Sequence, residues 1–272
     1  MFGDPVDDNP TGVMEEAGFR AKGLNYRYIT AKVQPEALGA AIAGARAIHM
    51  KGFNLTMPHK VRVIPFLDGM SEAARIIGAV NTVYEENGRY IGENTDGKGF
   101  VEAMQMQGAP IEGKNIVLLG AGGAGKAIGV ECALSGAKHI TVVNRNRERG
   151  EELARVIAEN TACAAEYLPW EGAVKIPECD ILINATCVGL APHADEKPDI
   201  DYDGIRPGMV VSDVVFNPEW PPFLREARAR GAKAITGLGM LVCQGARNFT
   251  LWTGEEAPFA AMFDALKGEF AS

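Results

Sequence analysis

The 272-residue chain is 47% hydrophobic and 23% charged, the balance of a soluble globular protein with room for one large domain or two ordinary ones. Its formal net charge of −8 argues against a nucleic-acid partner. No uncharged apolar run is long enough to span a membrane, and the opening "MFGDPVDDNP" has neither a basic region nor an apolar secretion core. Five scattered cysteines without a C-x-x-C pair fit a reducing cytoplasm rather than a disulfide framework. Four dispersed histidines show no metal-ligand spacing, so no metal site is expected.

In chain order, "ALGAAIAGARAIHM" carries apolar residues at helical spacing, with Pro35 suited to a first turn. "KGFNLTM" reads as a short strand and "SEAARIIGA" as a helix. "VNTVYEENGRYIGENT" reads as a hairpin turning at Asn87-Gly88. The pattern becomes regular after Gly113. Strands are expected at "NIVLLG", "HITVVN", "DILINAT", "MVVSDVVF" and "AKAITG". Helices are expected at "GAGKAIGVECALSGA", "RERGEELARVIAEN" and "PPFLREARARG". This alternation implies an α/β protein with a doubly wound parallel sheet. Two closing helices, "GMLVCQGARNFTLWTG" and "PFAAMFDALKGEF", follow the sheet, so one can pack back on the first domain. The expected domains are 1–98, 99–237 and a C-terminal helical segment 238–272.

"LLGAGGAGKA" holds G-x-G-x-x-G as Gly120, Gly122 and Gly125, directly after a strand and opening a helix. In that context the loop lets backbone approach a pyrophosphate, and the helix N-terminus offers free N–H groups to the anion. The bland alternative is a turn that serves strand–helix packing alone. NAD-binding folds place Asp or Glu after the second strand for the ribose hydroxyls. Here "VVNRNRER" puts Asn144 and Arg145 at that point, followed by Arg147 and Arg149. A guanidinium suits a 2′-phosphate, so NADP is expected over NAD.

"GFNLTMPHK" and "GENTDGKGF" each place polar residues where a strand should end. A lysine and an aspartate there, Lys60 and Asp96, suit proton transfer to and from a hydroxyl as hydride is exchanged. From composition alone the bland reading, Lys60 as a solvated surface charge, would win.

Across nearly its whole length the sequence resembles the shikimate dehydrogenase family. The matching runs are "GDPV", "GFNLTMPHK", "GAVNTV", "NTDGKGF", "GAGGAGKA", "VVNR", "NATCVG", "FNP" and "GLGMLVCQGA", in family order. The resemblance implies an N-terminal substrate domain, a Rossmann NADP domain, and a C-terminal helix returning to the first. It also implies reversible reduction of 3-dehydroshikimate to shikimate, a small-molecule substrate, and a monomer or homodimer. By the same resemblance Lys60 is the acid/base and Asp96 its hydroxyl-binding partner. Thr56, Asn81 and Gln244 would bind substrate. Glu72, Gly120, Ala121, Gly122, Gly123, Ala124, Asn144, Arg145, Arg149, Val214 and Gly237 would line the cofactor.

The sequence departs from the family at the carboxylate-binding segment. The usual S-x-S-P-x-x-H has Asn9 and Thr11 at its serines and Gly12 and Glu15 at its proline and histidine. The family's tyrosine is Phe216. Asp7 and Asp8 add negative charge nearby. Only Met1 and Phe2 precede Gly3, where the family has a strand, so either that strand is short or the start is misassigned or trimmed. Losing one hydrogen bond to a charged group costs about 1.5–3 kcal/mol. Two expectations stand side by side. Shikimate is bound less well, with quinate, an aminated shikimate, another cyclic hydroxy acid or a related polyol preferred; or the segment shifts by a residue and the site survives. A reading of another class is a non-catalytic sensor of NADP or a metabolite, against which the retained Lys60 and Asp96 count.

Overall fold

The structure is a computed structural model that describes residues 1–6 and 9–270, so Asp7 and Asp8 lie outside the described residues. The chain divides into two compact units, Met1–Thr95 with Val242–Ser272, and Asp96–Leu241. Both breaks fall within helices, where no linker composition could mark them.

The first unit opens with β1 (Phe2–Gly3), α1 (Thr11–Ala21), β2 (Ala31–Lys32) and α2 (Leu38–Ala47), the last preceded by a 3₁₀ turn at Pro35–Ala37. It continues through β3 (Gly52–Asn54), α3 (His59–Arg62), β4 (Gly69–Met70), α4 (Glu72–Ile77), β5 (Thr82–Glu86) and β6 (Arg89–Glu93). The two-residue β1 pairs in parallel with β2, and Phe2 bridges to Leu55. A four-stranded sheet runs β3-β5-β6-β4. The β5–β6 hairpin turns at Asn87 and Gly88, both at positive φ (53° and 77°), as an Asn-Gly two-residue turn requires. Its core gathers Phe2, Leu38, Ile42, Phe53, Leu55, Val63, Val83 and Tyr90, with Phe2 and Phe53 stacked at 4.8 Å.

α5 (Thr95–Met106) starts at the break between the units. The second unit then carries β7 (Asn115–Leu119), α6 (Gly123–Leu134), β8 (His139–Asn144), α7 (Arg147–Asn160), β9 (Ala164–Pro169), β10 (Ile181–Asn184), β11 (Val210–Asp213), α8 (Pro222–Ala229) and β12 (Lys233–Ile235). All six strands are parallel, in the order β12-β11-β10-β7-β8-β9. This is the doubly wound order, with its reversal between β7 and β10. β10 is buried at every residue and β7 at all but its first, which accounts for their unbroken apolar sequence.

α9 (Leu238–Thr253) carries the chain back into the first unit, and α10 (Phe259–Phe270) completes it against α1. Phe249 stacks on Phe19 at 5.5 Å, and the Trp252 indole donates to the Val83 carbonyl at 3.0 Å. Among the described residues six elements had no counterpart in the expected set: the short β2, α3 and β4, the helices α1 and α5, and strand β9. α1 and α5 carry glycines in their turns that blur the helical period, and edge strand β9 is only half-buried. In α1, Gly18 faces the Phe249 ring so closely that a Cβ would sit 3.1 Å from it.

Candidate functional site

The segment "NLTMPHK" leaves β3 and closes into the single turn of α3. Its ends are tied by main-chain bonds. Thr56 N–H donates to the Phe2 carbonyl at 3.1 Å, and His59 N–H to the Thr56 carbonyl at 2.8 Å. Val80 N–H donates to the Lys60 carbonyl at 2.7 Å, and Leu55 N–H to the Asn81 carbonyl at 2.8 Å. The fully buried His59 ring donates from Nε2 to the Val33 carbonyl at 2.7 Å, so the residue before the lysine is an anchor. Lys60 is half-buried and rides on this turn. Its backbone is thereby fixed beside Asn81 in a way a loosely solvated lysine would not require.

Asn81 opens a buried polar network. Thr95 N–H donates to Asn81 Oδ1 at 2.8 Å, and Asn81 Nδ2 donates to Thr95 Oγ1 at 3.0 Å. Thr82 Oγ1 donates to Asn248 Oδ1 at 2.8 Å, and Thr95 Oγ1 lies 2.9 Å from the same oxygen. Asn54 Nδ2 donates to Thr82 Oγ1, and the Tyr28 hydroxyl to Asn54 Oδ1 at 2.8 Å. Asn248 Nδ2 reaches Gln244 Oε1, one turn back on α9, at 3.2 Å. Buried polar groups so mutually satisfied hold one arrangement rigidly. The network fixes Thr95, and the next residue along α5 is Asp96, also half-buried. Sequence reasoning passed over Tyr28, Asn54, Thr82 and Asn248. Their signal was polarity inside otherwise apolar elements, plus the i, i+4 spacing of Gln244 and Asn248.

At the start of α1 Asn9 Oδ1 accepts from Thr11 N–H at 2.9 Å, so this amide oxygen is engaged by the helix start itself. Thr11 is buried. One turn on, Glu15 is fully buried with neither carboxylate oxygen hydrogen-bonded. Burial holds its carboxyl well above the usual carboxylate range, and it is neutral under conditions where an exposed glutamate is charged. It packs against Gly245, next to Gln244; a Cβ there would lie 3.4 Å from Glu15 Oε1. Glu72 is exposed in the first turn of α4, which Ser71 caps.

In the second unit the glycine loop joins β7 to α6. Gly120 N–H donates to the Val143 carbonyl at 2.8 Å, and a side chain on Gly125 would collide with the Gly120 carbonyl. Gly122 and Gly123 instead face open space, and no side chain caps the N-terminus of α6. A free helix start behind a side-chain-free loop is a fitting cradle for a pyrophosphate. Ala121 N–H is held by Asn144 Oδ1 at 3.0 Å, which couples the loop to the end of β8. Arg147 pairs with Glu151, and Arg155 with Glu152 and Glu159. At the ends of β10 and β11, Asn184 Nδ2 and Val215 N–H both donate to Asp213 Oδ1, at 2.9 and 3.0 Å. Burial pushes the Asp213 carboxyl up to about 7. This pair fixes the strand ends leading to Val214 and half-buried Phe216. A Cβ on Gly237 would lie 2.6 Å from the carbonyls of both Val214 and Val215, so these cofactor candidates adjoin.

Within the first unit, then, Thr56, Lys60, Asn81 and Gln244 belong to one bonded framework. Within the second, the glycine loop adjoins Asn144, and Val214 adjoins Gly237. Among the described residues no three His, Cys, Asp or Glu side chains gather as metal ligands.

Comparison with known proteins matches residues 1–83 to a shikimate dehydrogenase substrate-binding domain and residues 102–191 to a shikimate/quinate 5-dehydrogenase domain. Residues 237–267 match a shikimate 5′-dehydrogenase C-terminal domain. A shikimate dehydrogenase (NADP(+)) of Desulforamulus reducens is 43% identical, covering 100% of this chain and 94% of that protein. Among solved structures, the ligand-free 5-ketofructose reductase of Gluconobacter sp. strain CHM43 superimposes with a TM-score of 0.95 at 43% identity, covering 99% of this chain and 97% of that one. A shikimate dehydrogenase in complex with NADP+ gives a TM-score of 0.93 at 39% identity, over 100% of this chain and 94% of that one. The chain belongs to the shikimate dehydrogenase family.

Proposed function

We propose that the chain catalyses the NADP-dependent, reversible reduction of 3-dehydroshikimate to shikimate. The observation that carries this reading is Lys60, kept in its family motif on a turn tied to Val80, beside the Asn81–Thr95 lock that directly precedes Asp96. Residues 1–98 hold substrate, 99–237 hold NADP, and 238–272 return to the first domain. Gly120 to Ala124, Asn144, Arg145, Arg149, Val214 and Gly237 hold the cofactor. Bound NADPH supplies the hydride. Lys60 gives its proton to the carbonyl oxygen as that oxygen becomes an alkoxide, and takes it back in the reverse direction. Asp96 accepts a hydrogen bond from a substrate hydroxyl and so orients the ring. Thr56, Asn81 and Gln244 bind further hydroxyls, and Asn9, Thr11 and Phe216 face the carboxylate. The enzyme acts as a monomer or homodimer in the cytoplasm, a setting in keeping with five scattered cysteines and no C-x-x-C pair. No helix of the described residues is long and apolar enough to cross a membrane.

A second reading is favoured by one feature, the altered carboxylate segment. Asn9 spends its amide oxygen on the start of α1, Phe216 brings no hydroxyl, and the buried Glu15 stands where the family has a histidine. Fewer donors for a carboxylate suit an uncharged polyol, and 5-ketofructose, the ketone named for the Gluconobacter reductase, carries no carboxylate. Initial rates of 3-dehydroshikimate and 5-ketofructose, each with NADPH and NADH, separate the readings. The highest kcat/KM is expected for 3-dehydroshikimate with NADPH. A highest value for 5-ketofructose would establish the second reading, and no NADPH oxidation with either ketone would sink both.

A further inference from the structure

We propose that Trp170 is the positioning residue that selects NADP over NAD, by holding Arg145 where the 2′-phosphate is read. The inference rests on the cofactor reading above and adds a residue to it. Arg145 follows the last residue of β8, at the point where a carboxylate would serve NAD. Its side chain is exposed, and a free arginine there would sample many rotamers and lose that freedom on binding. It is not free. Its guanidinium carbon sits 5.4 Å from the centroid of the Trp170 ring, within cation–π range.

Trp170 is itself immobilised. It is only 7% exposed, packed with Leu119, Val143 and Leu182, and its indole N–H donates to the Asp199 carbonyl at 2.8 Å. Its backbone N–H donates to the Asn144 carbonyl at 3.2 Å, and the Tyr167 hydroxyl reaches the same carbonyl at 3.0 Å. Trp170 therefore holds this turn twice, by the main chain before Arg145 and by the ring under its guanidinium. Asn144 in turn holds the glycine loop through Ala121, so the reader of the 2′-phosphate and the cradle of the pyrophosphate share one support. A ring face attracts the cation without consuming its N–H donors, which stay available to a phosphate. The neighbouring Arg147 is already committed to Glu151.

The test needs no turnover. Binding of adenosine 2′,5′-bisphosphate and of adenosine 5′-monophosphate is measured by calorimetry on wild type, Trp170→Phe, Trp170→Leu and Arg145→Ala. Arg145→Ala should weaken the bisphosphate and leave the monophosphate unchanged. If it does not, Arg145 does not read the 2′-phosphate and the cofactor reading itself fails. Given that, Trp170→Leu should weaken the bisphosphate by about three- to tenfold with the monophosphate within about twofold. Trp170→Phe, which keeps a ring, should stay within about twofold of wild type for both ligands. In the Arg145→Ala background, Trp170→Leu should have no further effect on the bisphosphate. Equal weakening of both ligands by Trp170→Leu, or none, would overturn the proposal. A Trp170→Phe protein as impaired as Trp170→Leu would overturn it too, since the ring would then not be what matters.

Discussion

The two units carry their candidate residues differently. In the second, the proposed cofactor loop is made of backbone: open glycines, an uncapped helix start, and carbonyls approached too closely for any side chain. In the first, the proposed substrate residues stand on buried side chains joined across distant segments, from Tyr28 through Asn54, Thr82 and Asn248 to Gln244. A backbone device needs a few consecutive residues and tolerates little change. A side-chain network draws on distant residues and can be rewritten one position at a time while the fold survives. The resemblance implies such a change at Asn9, Thr11, Glu15 and Phe216, in a sequence that keeps the Lys60 motif.

Substitutions should separate the two halves. Lys60→Ala should lower kcat by about 10²–10⁴-fold while NADPH affinity stays the same, read by steady-state rates and cofactor titration. Gly125→Ala should do the reverse. Forcing a methyl against the Gly120 carbonyl costs about 1–3 kcal/mol, so NADPH should bind about tenfold or more weakly, with substrate-side binding unaffected. Asn248→Ala leaves the buried hydroxyls of Thr82 and Thr95 without their shared acceptor. It should cost about 1–3 kcal/mol of stability in denaturant unfolding, with NADPH affinity unchanged.

Legibility followed the same division. The parallel-strand runs, the glycine loop and the Asn87-Gly88 turn are local, so their chemistry can be read from adjacent letters. The network around Asn81 cannot, because Asn248 lies on a helix more than 150 positions after Thr95 and meets it only in the folded chain. α1 and α5 were hidden by glycines such as Gly18 and Gly97, which are there for close packing against a ring and against the Ala127 carbonyl. Glu15 stood out as a departure from the family pattern, but its burial without a partner is a property of the fold.

The last expected effect concerns pH. Burial raises Asp213 from its ordinary 3.8 to about 7, so the folded chain keeps a proton that the unfolded chain has lost. This contribution to stability is full below about pH 4 and is lost as pH rises through about 7, at no more than roughly 1.4 kcal/mol per pH unit. Asp213→Asn, which cannot ionise, should flatten that part of the stability profile, measured by unfolding midpoints between pH 5 and 8.

The proposed chemistry of Lys60 and Asp96 still serves a carboxylated ring despite the changes at Asn9 and Phe216. It is tested most directly by competition. Wild-type enzyme with NADPH is given equimolar 3-dehydroshikimate and 5-ketofructose, and the products are quantified at low conversion, so that their ratio reports relative kcat/KM. Shikimate is expected as the dominant product. Dominant reduction of 5-ketofructose would contradict it and reassign the family's machinery in this chain to an uncharged polyol.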